Sequence, residues 1–325
     1  MYDLIIIGGS AAAVAAGIYS ARRNLKFTIL TSDIGGEVAT SGEIENYPGI
    51  PHTNGIELTE KFKEHLNSYN VKPEEGICVA SLEKNGDRFV VGAMKGACKM
   101  AAERMQPGTL GKNEKSNEKI YEARAVIIAT GVRPRELNVP GEGALRNKGV
   151  SYCTVCDGPL FGGKDVAIVG GGNSANEAGI MLSTIAKKVY VLTKNAEMKG
   201  DTVLINKLKT LSNVTIVPNA ATTKVIGERM VAGLEYKDSI SNELKNLDVQ
   251  GIFVHIGMLP NSQFVPSDVK KNQFGEIEIN AACETNVPGI FAAGDVTNVL
   301  YKQISIAVGQ GAMAALRAVD YLNKL

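Results

Sequence analysis

Cys153 and Cys156 stand two residues apart, and Asp157 follows directly. Two thiols at that spacing permit a reversible disulfide on a turn entering a helix, whose N-terminal amides favour one thiolate. Exchange with another disulfide proceeds by thiolate attack through a mixed disulfide. Asp157 is placed to supply or remove a proton as the dithiol is released. Structural zinc is the competing use of such a pair, but tetrahedral zinc wants four ligands. The remaining candidates, His52, His65 and His255, are scattered and read as surface or satisfied core residues, so no metal site is expected. An iron–sulfur cluster fails on the same count. Cys78, Cys98 and Cys283 read as small core or surface side chains without chemistry, because five cysteines in a chain this long form no disulfide scaffold.

Two glycine-rich turns flank this pair in the chain. The first lies in Ile5-Ile6-Ile7-Gly8-Gly9-Ser10-Ala11-Ala12-Ala13, the second in Val169-Gly170-Gly171-Gly172-Asn173-Ser174-Ala175. Each follows an apolar run and enters an Ala-rich helical pattern, as a dinucleotide pyrophosphate site requires. Ser10 stands where the fingerprint has its middle glycine, and it fits if its hydroxyl points away or touches the phosphate. Two such turns predict two dinucleotide folds. A nicotinamide delivers a hydride, and a disulfide is a poor direct hydride acceptor. A flavin between them accepts the hydride and passes the electron pair to sulfur.

The elements that must position these groups are legible as patterns. Leu4–Ile7, Ala11–Arg23 and Phe27–Leu30 form a β-α-β start. Leu58, Phe62, Leu66 and Tyr69 recur at helical spacing. From Ile77 to Val91, β-like runs around the Asn85-Gly86-Asp87 turn suggest an antiparallel annex. Met94–Met105 reads as a short helix and Gln106–Glu118 as an exposed loop. Val126–Ala129 is a buried strand ending at the Gly131 turn. Asp165–Val169, a helix over 173–186 and Val189–Leu192 repeat the β-α-β theme. An amphipathic helix over Val203–Leu211 and strands over Val214–Pro218 and Ile252–Ile256 follow, the last running into Gly257. Gly289–Asp295 places an acidic side chain directly after an apolar strand. Gln303–Leu322 is a long helical pattern whose small residues allow close packing, and its N-terminus offers partial positive charge to an electron-rich group.

Size and charge bound the answer further. A chain of 325 residues exceeds the size at which one core keeps growing, so two domains are expected, with a boundary near 133 and a return near 262. Thirty-five basic residues against 34 acidic ones, without blocks of either sign, leave no footprint for nucleic acid or a membrane surface. No apolar stretch reaches the roughly 18 residues a membrane helix needs. Met1-Tyr2-Asp3 runs directly into an apolar strand, so the cytoplasm is the expected compartment.

With these motifs the chain closely resembles the low-molecular-weight thioredoxin reductases, FAD-dependent pyridine nucleotide-disulfide oxidoreductases, over essentially its whole length. The most specific marks are Glu45-Asn46-Tyr47-Pro48-Gly49, Cys153-Thr154-Val155-Cys156-Asp157-Gly158, and Gly289–Asp295 followed by Lys302-Gln303. The resemblance implies an α/β fold of two Rossmann-like dinucleotide-binding domains (three-layer ββα type), the second inserted in the first. Residues 1–133 and 263–325 would bind FAD. Residues 134–262 would form an NAD(P)H-binding-like domain carrying the cysteine pair. It implies a homodimer in which that inserted domain rotates to alternate nicotinamide and dithiol at the flavin.

Residue by residue, Gly8, Ser10 and Ala13 match the pyrophosphate cradle, and Gly35, Gly36, Glu37, Asn46 and Gly131 match positions around FAD. Asp295 matches the ribityl or phosphate contact, and Lys302, Gln303 and Ile304 the flavin-ring segment. Gly170, Gly172, Asn173, Ser174, Ala175, Lys194, Lys199 and Gly257 match the nicotinamide-nucleotide site. Cys156 matches the cysteine facing the flavin, Cys153 the one that attacks the protein substrate, and Asp157 the proton donor.

Three departures stand out. Glu37 replaces the usual glutamine, residues 94–118 exceed the usual connection, and Thr193–Lys199 lacks the arginines that grip a 2′-phosphate. Lys194 and Lys199 occupy two of those positions as point charges without the planar fork. No acidic residue marks NADH preference at Thr193 either. The expected activity is reduction of thioredoxin or a similar redoxin by NADPH or NADH through FAD and the Cys153/Cys156 dithiol. A ferredoxin-fed variant of the same enzyme is the alternative.

Overall fold

The computed structural model describes residues 1–39, 41, 43–96 and 118–325, with the backbone alone described at Glu43, Glu118 and Cys156. The chain divides into two compact units, residues 1–133 with 259–325 and residues 134–258.

The first unit begins with β1 (Tyr2–Ile7), α1 (Ala11–Arg22), β2 (Phe27–Leu30) and α2 (Gly55–Ser68). The β3 (Ile77–Asn85) and β4 (Arg88–Lys95) strands form an antiparallel hairpin whose two-residue turn holds Gly86 at φ 65°. The strand β5 (Glu118–Ile128) returns beside it. The helix expected over Met94–Met105 and the loop over Gln106–Glu118 fall largely outside the described residues. At their edges the expectation is corrected: Met94 pairs with both Cys78 and Glu118, so sheet hydrogen bonding claims these residues as strand.

The second unit contains β6 (Val150–Ser151), α3 (Thr154–Asp157), β7 (Asp165–Val169), α4 (Asn173–Ser183), β8 (Lys188–Leu192), α5 (Thr202–Thr210) and β9 (Val214–Val217). After these come β10 (Ala220–Gly227), β11 (Val231–Asp238), β12 (Leu244–Asp248) and β13 (Gly251–Val254). A parallel sheet in the order β9-β8-β7-β13-β6 carries the helices on one face and the antiparallel β10-β11-β12 sheet on the other. The first unit closes with β14 (Ile290–Ala292) and α6 (Ile304–Leu322), giving the order β2-β1-β5-β4-β3 with β14 paired to β5.

Burial on both faces explains the continuous apolar runs of the central strands. Leu4 and Ile6 of β1 pack into the cluster beneath α1, α2 and α6, while Ile5 and Ile7 pack into the cluster formed with β3 and β4. In the second unit, Val166 and Ile168 of β7 face the helices, and Ala167 and Val169 face the antiparallel sheet. The α1 and α6 helices approach closely because Gly311 has no Cβ; one built there would strike the Ala12 carbonyl. Gly311→Ala is therefore expected to destabilise the first unit by about 1–3 kcal/mol, read as a lowered Tm by calorimetry.

Candidate active site

In the first unit, the glycine turn sits between the end of β1 and the start of α1. Gly8 adopts φ 132° and lies against the Ala129 carbonyl, so that no side chain fits there. Ser10 precedes the helix but does not cap it. Its hydroxyl donates to the Gly35 carbonyl at 2.5 Å, which settles its orientation between the two allowed by the sequence. The first-turn amides of α1 consequently remain for an anion. Ala13 is fully buried. Gly35 (φ 114°) and Gly36 (φ 51°) lead a short 3-10 turn, on which Glu37 is exposed.

The distant Asn46 and Gln303 meet, Asn46 Nδ2 donating to Gln303 Oε1 at 3.2 Å. Gln303 directly precedes Ile304, the first residue of α6. Burial holds the Asp295 carboxyl above the usual carboxylate range, opposed by the Lys302 charge. Lys302 pairs with Glu276 at 2.9 Å and donates to the Thr297 carbonyl, so it buttresses the same segment. Gly131, at φ 63°, has open space where a side chain would stand. Uncapped helix amides, bare glycine backbone and the Asn46–Gln303 pair suit a dinucleotide such as FAD.

In the second unit, Cys153 is held in a disulfide just before α3, which contains Thr154 through Asp157. Residues leading into this turn are tied one after another. Ser151 Oγ and the Cys153 amide and carbonyl lie 3.1 Å apart in both pairings. Tyr152 donates its hydroxyl to buried Glu142 Oε1 at 2.7 Å, and the Arg146 guanidinium lies 4.6 Å from the Tyr152 ring centroid. Glu142 also accepts from the Leu137 and Asn138 amides at 2.8 and 2.7 Å. Burial, then the Glu142 carboxylate, push the Tyr152 hydroxyl well above its usual range. Thr154 Oγ1 lies 2.6 Å from His255 Nε2. The Asp157 amide donates to the Cys153 carbonyl at 3.2 Å, and its side chain is half-buried.

The second glycine turn belongs to the same unit. Gly170 (φ 157°) packs on the His255 carbonyl and Gly171 on Thr193 Oγ1, while Gly172 opens to solvent before α4 without a capping side chain. This leaves the first amides of α4 available to a phosphate. Ala175 is buried and Ser174 exposed. Asn173 is taken up by structure, its Oδ1 accepting from the Asp201 amide at 2.7 Å. The Lys199 amide donates to Gly171 at 2.6 Å, and Asn176 Nδ2 donates to the Lys199 carbonyl at 3.1 Å. Residues 194–201 are thus latched onto the glycine turn through backbone and asparagines, with the Lys194 and Lys199 side chains exposed. Gly257 is exposed at φ 102°.

Several residues escaped sequence reasoning. Ser151, Glu142, Tyr152 and His255 support the cysteine turn, yet none carries a local motif. Cys78, expected to carry no chemistry, is disulfide-bonded, a correction that its lone place on a buried strand gave no means to foresee. Cys98 lies outside the described residues. Cys283 is a free, buried thiol pushed up to about 11 by burial. His52 is exposed 3.4 Å from Glu45, His65 lies beside Tyr69, and His255 is the hydrogen-bonded one.

Comparison with known proteins now decides the family. The model of the pyridine nucleotide-disulphide oxidoreductases matches residues 2–311. The chain belongs to this family. The F subunit of alkyl hydroperoxide reductase from Escherichia coli (strain K12) is 44% identical over 322 residues, 99% of this chain and 58% of that protein. The chain thus spans less than two thirds of this relative's length. Thioredoxin reductase from Lactococcus lactis superposes with a TM-score of 0.78 at 30% identity, covering the whole of both chains. A ferredoxin-flavin thioredoxin reductase from Clostridium acetobutylicum gives 0.52 at 30% identity, covering 100% of this chain and 99% of that one. Family membership implies FAD and NAD(P)H as cofactors, and the two units match the two Rossmann-like domains of the thioredoxin reductase structures. Among the described residues no helix is long and apolar enough to cross a membrane.

His255 supplies a pH prediction. Burial pushes its pKa down to about 4 from 6.5. The unfolded chain therefore binds a proton between those values that the folded chain does not, and stability is lost as pH falls from about 6.5 to about 4. The loss is on the order of 3 kcal/mol for this group. Urea unfolding across that range is expected to show a shallower pH slope in His255→Gln than in the parent.

Proposed function

We propose that the protein reduces the disulfide of thioredoxin or a thioredoxin-like protein, taking electrons from NADH or NADPH. The observation that carries this reading is the disulfide at Cys153, seated at the entrance of α3 in the unit that also bears the second glycine turn. Cys156 is read as its partner. Bound FAD would accept the hydride and return the electron pair to this disulfide. Gly8 and the free amides of α1 would hold the FAD pyrophosphate, and the Asn46–Gln303 pair and Asp295 would fix the rest of the cofactor. The turn from Gly170 to Ala175 would hold the nicotinamide nucleotide.

The protein's own part is then thiol chemistry. Cys153 thiolate attacks one sulfur of the acceptor disulfide, forming a mixed disulfide and expelling the other sulfur as a thiolate. Asp157 gives that thiolate a proton. Cys156 next gives up its thiol proton and attacks Cys153, and the intramolecular disulfide closes. The second acceptor sulfur leaves as a thiolate that takes up that proton, so the acceptor departs as a dithiol. Two electrons and two protons have moved. The exposed Val155 beside the pair leaves this face accessible to a protein surface. The alkyl hydroperoxide reductase relatives, by their name, point to peroxide reduction as the destination of such electrons.

A ferredoxin-fed reading is favoured by one observation. The loop over 194–201 presents only Lys194 and Lys199 where a 2′-phosphate would be gripped, and a ferredoxin-flavin relative shares the fold. Anaerobic mixing of the FAD-loaded protein with NADH, NADPH or reduced ferredoxin separates the readings by the bleaching of the flavin band. Bleaching by a nicotinamide followed by thioredoxin reduction is expected. Bleaching by ferredoxin alone overturns the nicotinamide reading. Cys153→Ser and Cys156→Ser should each lower thioredoxin reduction by about a hundredfold or more, while the flavin still bleaches with its donor.

A further inference from the structure

One tie on the cysteine turn reaches a residue to which the thiol chemistry gives no part. His255 is the first residue past β13, and its amide donates to the Val169 carbonyl at 2.8 Å. Its carbonyl is the atom that a Cβ at Gly170 would strike. From this place beneath the glycine turn, its imidazole reaches Thr154, the buried residue that follows Cys153. Ser151, paired with Phe253 across the β6–β13 ladder, holds the Cys153 backbone. Two neighbouring strands of one sheet therefore fix successive residues, Cys153 and Thr154.

We propose that His255 is a positioning residue for the redox couple: through Thr154 it holds the cysteine turn in the shape that closes the disulfide, and so stabilises disulfide over dithiol. This rests on the reading of Cys153 and Cys156 as one couple. The bond is present in the form in which Cys153 is disulfide-bonded. Holding two thiols in the closing geometry raises their effective concentration, which favours the bond between them. Reduction breaks that bond, takes up two electrons and two protons, and leaves two thiols whose turn no longer needs the constraint. The depressed pKa keeps the imidazole neutral, so one shared proton links His255 and Thr154 throughout the neutral range.

The test equilibrates the FAD-loaded protein in dithiothreitol buffers of graded potential. Dithiothreitol gives up two electrons and two protons and closes to its own cyclic disulfide. Alkylation then traps free thiols, and mass spectrometry reads the peptide over 149–164, which trypsin releases at Lys148 and Lys164 and which contains both cysteines. Thr154→Val and His255→Leu are each expected to shift the equilibrium roughly three- to tenfold toward the dithiol, about 15–30 mV for a two-electron couple. Thr154→Ser keeps the hydroxyl and should titrate with the parent. The double variant should move no further than either single one. Should His255→Leu fail to fold, the Thr154→Val and Thr154→Ser pair decides. A Thr154→Val protein that titrates with the parent overturns the positioning role alone. A parent peptide that closes no disulfide in any buffer overturns the couple itself, and both readings with it.

Discussion

A carbonyl standing where a side chain would have to go governs both units. In the first, the residue just past β5, Ala129, turns its carbonyl into the space beside Gly8; in the second, the residue just past β13, His255, does the same to Gly170. Each contact forces the chain to leave its strand through bare backbone, and each delivers it into a helix with no side chain capping its amides. Steric exclusion thereby creates an electrostatic opening for phosphate. Within each unit, parallel pairing of the strand before the glycine with the strand that ends at the carbonyl brings the two together.

The repeat also ties the second glycine turn to the cysteine turn. His255 contributes a carbonyl to the glycine turn and an imidazole to the cysteine turn, so one residue's backbone and side chain serve two neighbouring features. Glu142 plays a comparable role by accepting from two amides and the Tyr152 hydroxyl. A buried carboxylate with that many donors is well compensated for its desolvation.

What the sequence made legible was local. β1, α1 and β2 follow from an apolar run, a glycine turn and an Ala-rich period; β2 has the expected limits, β1 starts two residues earlier and α1 ends one residue earlier. The β10-β11-β12 sheet escaped because strands such as Leu244–Asp248 are polar and largely exposed, with little hydrophobic alternation to read. At the site, the motif residues were visible, but their supports were not. Thr154 and His255 lie 101 positions apart, and nothing in either neighbourhood signals the other. Asn46 and Gln303 meet across 257 positions for the same reason. The orientation of Ser10 needed the position of the Gly35 carbonyl, which only the folded chain supplies.

The latch of residues 194–201 onto the glycine turn runs through the Lys199 backbone, Asn173 and Asn176, whereas the side-chain ammonium groups of Lys194 and Lys199 point to solvent without joining it. On the proposed reading, in which Lys194 and Lys199 meet the coenzyme, folding and coenzyme discrimination are written in different atoms of one short segment. Such a division leaves the two exposed positions open to drift: exchanges at 194 and 199 would alter the charge this segment offers to a bound nucleotide while the latch, and the unit it closes, stays as it is.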